Sequence, residues 1–288
     1  MAYRKILVPL TGGERDTPVL KAAFEVAKAF GGHVAALYVK PDPAEVLPYL
    51  GEGVSAGVIQ EIMSAANETA KRGAAAAADN VARIAKTAGV AVQPPAQTGV
   101  GVGASFHVRE GLADDVISEE ARLSDLSVFD LPAESIDGVL RGALESALLN
   151  GRKPILLAAR AGAPIVGRKI AVGWDGGAAA AQAVTSAIPL MKQAESIEIL
   201  NVTSGPIDTI GMDRLRDYLR LHGLNAVEHG INPGGQGTAA ALVDGAQRSG
   251  AGLLVIGGYG HSRLRELALG GVTRHVFAHV TMPVFMAH

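Results

Sequence analysis

Two stretches, Arg4-Lys5-Ile6-Leu7-Val8-Pro9-Leu10 and Arg168-Lys169-Ile170-Ala171-Val172-Gly173-Trp174, follow one pattern. Each opens on a basic pair, runs apolar, and reaches a Gly-Gly turn, Gly12-Gly13 in the first and Gly176-Gly177 in the second. A short apolar run closed by a turn suits a strand buried on both faces, as in parallel sheets. Helical periodicity follows each run. Ala23, Val26, Ala27 and Phe30 recur at i, i+3, i+4, i+7, and so do Val184, Ala187, Ile188 and Met191. A second apolar segment then appears in both places, at 33–39 and 196–202.

The two halves also end alike. A helical stretch leads to an apolar run at 126–129 and at 253–256. A further helix leads to Lys153-Pro154-Ile155-Leu156-Leu157 and to Met282-Pro283-Val284-Phe285-Met286. The chain therefore reads as one β-α-β-α-β-α-β-α-β unit used twice. Alternating apolar strands and helices imply a parallel sheet with helices on both faces. The expected fold is α/β: two Rossmann-like domains, each a five-stranded mostly parallel sheet with flanking helices, over residues 1–160 and 167–288. Residues 159–167, with Gly162, Pro164 and Gly167, form the expected linker. The halves differ in one place. Residues 58–88 read as a long Ala-rich helix, whereas its counterpart near 212–222 is short, and the Pro/Gly-rich stretch 92–103 reads as a loop.

Composition agrees with this reading. A length of 288 residues suits two domains. Hydrophobic residues at 48% supply two cores, and charged residues at 19% are too few for a disordered chain. A net charge of −2 speaks against a nucleic-acid partner. With no cysteine, disulfides, thiolate metal sites and a Cys nucleophile are ruled out. The first residues lack the pattern of a secretory signal, and no apolar run nears the ~18 residues of a membrane span. A cytoplasmic location, away from membranes, is the expectation.

The stretch that carries chemistry is Ile256-Gly257-Gly258-Tyr259-Gly260-His261-Ser262-Arg263-Leu264-Arg265-Glu266-Leu267-Ala268-Leu269-Gly270-Gly271-Val272-Thr273. It follows an apolar strand and precedes a helix expected over 272–280, so it lies where open α/β sheets bind ligands. Gly257 and Gly260 let the backbone approach a ligand closely. Gly270 and Gly271 precede a helix N-terminus, whose free N–H groups favour an anion such as phosphate, and Thr273 adds a hydroxyl.

Gly257, Gly260 and Gly270 spell G-x2-G-x9-G, which resembles the ATP-binding signature of the universal stress protein family. The opening strand ending Val172-Gly173-Trp174-Asp175 and the closing Pro283 strand fit the same family, and the first half fits it in the order of its elements. The resemblance implies a tandem universal stress protein of adenine nucleotide alpha hydrolase-like fold. Asp175 would face the adenine or ribose, and backbone near Val202 would contact the adenine edge. Gly257, Gly260, His261, Ser262, Gly270, Gly271, Val272 and Thr273 would surround ribose and phosphates. The implied ligand is ATP, with AMP or ADP as alternatives and Mg²⁺ where a triphosphate binds. Family members commonly pair their last strands across a dimer, so the Pro154 and Pro283 strands are expected to pair within this molecule; further pairing into a homodimer is compatible. ATP-binding members usually carry Ser or Thr after the last motif glycine, where this chain has Gly271.

Other readings compete less well. Aligning 126–129 with 253–256 puts Asp130 and Ala133 where Gly257 and Gly260 sit, and Thr11 where Asp175 sits. A carboxylate there repels polyphosphate, so the first half is expected not to bind ATP in the family manner. Gly260-His261-Ser262-Arg263-Leu264 departs from a nucleophile elbow at Leu264. Gly235-Gln236-Gly237-Thr238-Ala239-Ala240 lacks the strand before it and the acid after it that a dinucleotide fingerprint needs. His275 and His279 lie one turn apart without an obvious third metal ligand. Gly257–Gly271 can be read as turn and tight packing, and Asp175 as a helix cap. The leading expectation is a nucleotide-binding stress-response sensor or regulator. The alternatives are a non-nucleotide interaction scaffold, a slow ATP hydrolase, and a hydrolase using Ser262.

Overall fold

The computed structural model describes residues 3–42, 55–94, 101–131, 138–159, 162–205, 209–258 and 271–288. The first half contains β1 (Lys5–Leu10), α1 (Asp16–Phe30), β2 (His33–Lys40), α2 (Ala56–Ala88), β3 (Gly103–Glu110), α3 (Ala113–Arg122), β4 (Leu126–Asp130), α4 (Gly138–Leu149) and β5 (Ile155–Ala158). The second contains β6 (Ile170–Gly173), α5 (Ala178–Met191), β7 (Ile197–Val202), α6 (Thr209–Leu221), β8 (Ala226–Ile231), α7 (Thr238–Arg248), β9 (Leu253–Gly257), α8 (Gly271–His279) and β10 (Val284–Ala287). The fold is thus α/β, as the alternation of elements required.

The strands form one ten-stranded sheet in the order β3-β2-β1-β4-β5-β10-β9-β6-β7-β8. Neighbours within each half are parallel. At the centre β5 and β10 run antiparallel, with Val284 opposite Leu157, Phe285 opposite Leu156 and Met286 opposite Ile155. The strands that carry Pro154 and Pro283 at their entries are therefore the ones that meet.

Side-chain alternation along each strand splits the core into two layers. Ile6 and Val8 of β1 face α1 and α2, while Leu7 faces the layer of α3 and α4. In the second half Val172 and Val255 face α5 and α6, and Ala171, Leu254 and Ile256 face α7 and α8. Both layers run through the whole sheet, with Phe285 and Leu156 fully buried at the centre of one of them. Helix ends follow local rules: Ser55 caps α2 by accepting from the Val58 N–H, and Gly31 closes α1 in the left-handed region, at φ 64°.

Three expectations change. Residues 103–110 form a strand that was not located from sequence, beginning where the expected loop 92–103 ends, and Val92 at the start of that loop forms a bridge with Ala104. This strand and β8 are the sheet edges, half-exposed and polar, so they lack the apolar run that marks the others. The helix expected over 272–280 starts one residue earlier, at Gly271. Finally, the expected linker is docked. Ile165 is buried, and the N–H groups of Ile165 and Val166 both donate to one Glu25 carboxylate oxygen of α1, at 2.8 Å each. Tyr3 adds a contact between the halves: its hydroxyl donates to the Ser186 carbonyl of α5 at 2.6 Å, and its ring meets Phe30 edge-on.

Candidate functional site

In the second half β6 is flanked by β9 on one side and β7 on the other, so successive connections leave it in opposite directions. A crevice opens beyond the carboxyl ends of strands at such a switch point. A cavity of about 420 Å³ lies there, lined by Gly173, Trp174 and Asp175 after β6, Leu200 and Val202 of β7, and Ile256 and Gly257 of β9. Its walls are completed by Ala179 and Ala180 of α5, Thr238 and Leu242 of α7, and Gly271, Val272 and Thr273 of α8. The volume falls in the range of about 300–1,000 Å³ typical of small-molecule sites.

The sequence folds this way for local reasons. The ladder of β6 continues into the Trp174 N–H, which donates to the Leu200 carbonyl at 2.9 Å. The Trp174 carbonyl accepts from Asn201 Nδ2 at 2.9 Å, so a buried amide side chain fixes the backbone just before Asp175. Asp175 Oδ1 accepts from the Gly177 N–H at 2.8 Å, which shapes the turn into α5. Asp175 thus has the capping-type contact as well as a place in the cavity wall.

Three helices, α5, α7 and α8, begin at this cavity, and the partial positive charge of their N-termini converges on it. Among the described lining residues Asp175 is the only charged side chain. The rest is apolar apart from the hydroxyls of Thr238 and Thr273, and Thr273 is buried. Such a wall suits a flat, weakly polar group with hydroxyls for Asp175 and an anion toward α8.

Of the residues singled out from sequence, Asp175, Val202, Gly257, Gly271, Val272 and Thr273 line one cavity. Gly260, His261, Ser262 and Gly270 lie outside the described residues. Gly257 has a different first duty from the one expected. A Cβ there would come within 2.5 Å of the Ala180 nitrogen and 2.7 Å of the Ala179 carbonyl carbon, so the missing side chain admits the first turn of α5. Gly271 is the opposite case, since a Cβ added there meets nothing within 4 Å. Sequence reasoning missed Trp174, Thr238 and Leu242 as lining residues. The signal for Thr238 was present: Gly237-Thr238 opens a helix in the G-x-G-x-x-A stretch, although its strand is an edge strand too polar to stand out.

The first half treats the equivalent turn differently. Asp16, the first residue of α1 and itself buried, accepts from the Thr11 and Gly12 N–H groups at 2.9 Å each and from the Thr11 hydroxyl at 3.1 Å. Asn80 of α2 donates to the Gly13 carbonyl at 3.2 Å, and Gly12 lies directly against Gly73 of α2. Asp130, at the end of β4, pairs with Arg15 at 2.9 Å. An internal carboxylate thus takes the N–H groups of this turn. The rings of His275 and His279 stack 4.1 Å apart, and His279 Nδ1 lies 3.0 Å from the His275 carbonyl. Among the described residues no group of three or more His, Cys, Asp or Glu could hold a metal. No helix among them is long and apolar enough to cross a membrane.

The chain is similar to a universal stress protein from Archaeoglobus fulgidus DSM 4304, with a TM-score of 0.70 and 15% identity over 98% of this chain and 97% of that one. It is also similar to a functionally unknown protein from Pseudomonas aeruginosa PAO1, with a TM-score of 0.58 and 17% identity over 99% and 92%. At such identities the likeness shows the fold. No curated protein matches the chain. A family model, described as Universal stress protein family, matches residues 2–128, which is the half without the glycine motif. The molecule is therefore an α/β protein whose residues 2–128 are similar to the Universal stress protein family.

Proposed function

We propose that the chain is a tandem universal stress protein, with domains over 1–160 and 167–288, that binds one adenine nucleotide, ATP, in its second half as a stress-response sensor or regulator. The observation that carries this reading is the cavity at the β6/β9 switch point, where Asp175, Val202, Gly257 and Gly271–Thr273 come together under three helix N-termini. Asp175 would accept ribose hydroxyls. Trp174 and Val202 would pack against the base, which is flat and apolar on its faces. The start of α8, with Thr273, would receive the phosphate end. Gly260, His261, Ser262 and Gly270 belong to the same proposed site by the spacing of the motif. The described wall offers an acid and no base, so charge compensation for a triphosphate would come from Mg²⁺ and the helix termini. AMP and ADP, with fewer charges, fit the same wall.

The largely apolar wall, the single carboxylate of Asp175 and the converging helix N-termini support a binding role. The two halves would be held by β5–β10 pairing inside one molecule. Calorimetric titration of nucleotide into nucleotide-free protein tests this reading. Trp174 is the only tryptophan of the chain and lines the cavity, so its fluorescence gives an independent local readout. Val202→Trp, which fills the cavity from the end of β7, should abolish the heat of binding. Binding unaffected by that substitution would move the site elsewhere.

A further inference from the structure

A second cavity, of about 490 Å³, lies in the first half on the face of β1, β2 and β3 that α3 covers in part. Strand register explains its lining. Lys5 pairs with His33, Leu7 with Ala35, Ala35 with Ser105, Leu37 with His107, and Val39 with Arg109. Register partners in a parallel pair share a face, so Lys5, His33, Ser105, His107 and Arg109 project to one side. On the buried part of that face Leu7 and Leu37 pack against Val116 and Ile117 of α3. Toward the edge strand β3 the cover ends and polar side chains take over.

These groups form one connected set. The Ser105 hydroxyl, on a residue only 3% exposed, lies 2.9 Å from His33 Nε2 and 3.0 Å from His107 Nε2. Glu120 of α3 accepts from Lys5 Nζ at 3.2 Å and from Arg109 Nη1 at 3.2 Å, and Arg109 Nη2 reaches Glu119 at 3.0 Å. Asp125 receives the Arg4 and Lys5 N–H groups at 2.8 and 3.0 Å. Burial works against the charge on Glu120, yet Lys5 and Arg109 hold its carboxyl below the usual range. It therefore stays an acceptor that is already doubly used. The lining is rich in positive charge: Arg4, Lys5 and Arg109 face the single carboxylate of Glu120, beside two imidazoles and one hydroxyl. His33 Nδ1 is buried and has no hydrogen-bond partner among the described residues.

We propose that this cavity binds a small organic anion, a carboxylate or a phosphate monoester on an apolar body, its charged end held by His33, Ser105, His107 and Arg109 and its body on Leu7, Ala35 and Leu37. Three cations of the lining face one carboxylate, and a bound anion balances the remaining charge and takes their unused donors. Glu120 positions the two cations without blocking their remaining donors, since Lys carries three and Arg five. The site is remote in the sheet order from the β6/β9 cavity, so it stands whether or not a nucleotide binds there.

Burial, then His107, then Lys5 hold His33 below its ordinary value, which keeps it neutral near pH 7. A bound anion reverses that balance. Around His33 the charged and titratable groups are Lys5 and Arg4 of the β1 region, His107 and Arg109 of β3, and Glu120 of α3. Binding should therefore take up a proton and tighten as the pH falls, levelling off once His33 of the free protein is itself protonated.

The test is a titration of the full chain with benzoate, phenyl phosphate and neutral benzamide, followed by the imidazole NMR signals of His33 and His107 and by Trp174 fluorescence. The expected result is a saturable shift of both histidine signals by at least one anion, none by benzamide, and roughly tenfold or greater weakening in His107→Gln and in Arg109→Gln. The anion that binds tighter identifies the charged group as carboxylate or phosphate. Both substitutions are at the sheet edge, so an unchanged circular dichroism spectrum separates lost binding from lost fold. The proposal is overturned if neither anion shifts the histidines saturably, if benzamide does so equally, if the variants bind as the parent does, or if only Trp174 responds.

Discussion

Glu25 is the place where one atom can be asked how the halves hold together. Its Oε1 sits 2.8 Å from two successive backbone N–H groups, those of Ile165 and Val166, which together make a small anion-binding concavity. Glu25→Ala removes the acceptor from both. A hydrogen bond to a charged group contributes about 1.5–3 kcal/mol when buried, and Ile165 is 1% exposed. Glu25 itself is half-buried, so the low end applies, and losing the pair should cost about 2–4 kcal/mol in total. For a chain of this size that lowers the Tm by roughly 3–7 °C. Glu25→Gln keeps an oxygen acceptor without the charge and should lose about half as much. Thermal unfolding by circular dichroism reads the cost, and limited proteolysis around residues 159–167 reads where it falls. A Glu25→Ala protein within about 0.5 kcal/mol of the parent, or Gln as damaging as Ala, would refute the view that this carboxylate docks the connecting segment.

Further outcomes follow from the site and the junction. Gly271→Ser adds a hydroxyl where a Cβ meets open space, at the start of α8; it should tighten nucleotide binding by about tenfold in calorimetry and leave stability equal or slightly higher. Gly257→Ala drives a Cβ into the backbone of Ala179 and Ala180, so it should destabilise by about 1–3 kcal/mol in urea unfolding even without ligand. Tyr3→Phe removes the hydroxyl bonded to Ser186 and should cost about 1 kcal/mol. Burial, and then Asp125, push the Tyr3 phenol above its ordinary range. The folded state thus holds its proton more tightly than the unfolded chain, so this stability is complete below about pH 10 and is lost as the pH rises beyond it. Tyr3→Phe should flatten that alkaline loss in pH-dependent unfolding.

The parts of the fold that were legible in the sequence share a physical property. Strands β1, β4, β5, β6, β9 and β10 are buried on both faces, so each is a short apolar run between turns, and the repeat of Arg-Lys followed by such a run exposed the doubling of the chain. β3 and β8 were not located because edge strands can be polar: His107 and Arg109 in one, and Glu228 and His229 in the other, interrupt any apolar pattern. The docking of Ile165 and Val166 was hidden for another reason. It depends on a carboxylate 140 positions away, and Gly and Pro around them signal a connector but not what it touches. In the site, Asp175, Val202 and Gly271–Thr273 were readable because strand ends and helix starts are readable. Trp174 and Thr238 were not, since their place in the wall follows from the order β9-β6-β7 and not from local pattern. Gly257 was read as allowing close approach of a ligand, whereas what the missing side chain makes room for in the structure is α5.

The most direct test is titration of ATP with Mg²⁺ into nucleotide-free protein, followed by calorimetry and Trp174 fluorescence, with Val202→Trp as the blocked control. The account predicts saturable binding with one site per chain, a change in Trp174 emission, and no binding by the Val202→Trp protein. Absence of binding by folded, nucleotide-free protein, for ATP, ADP and AMP alike, would contradict it.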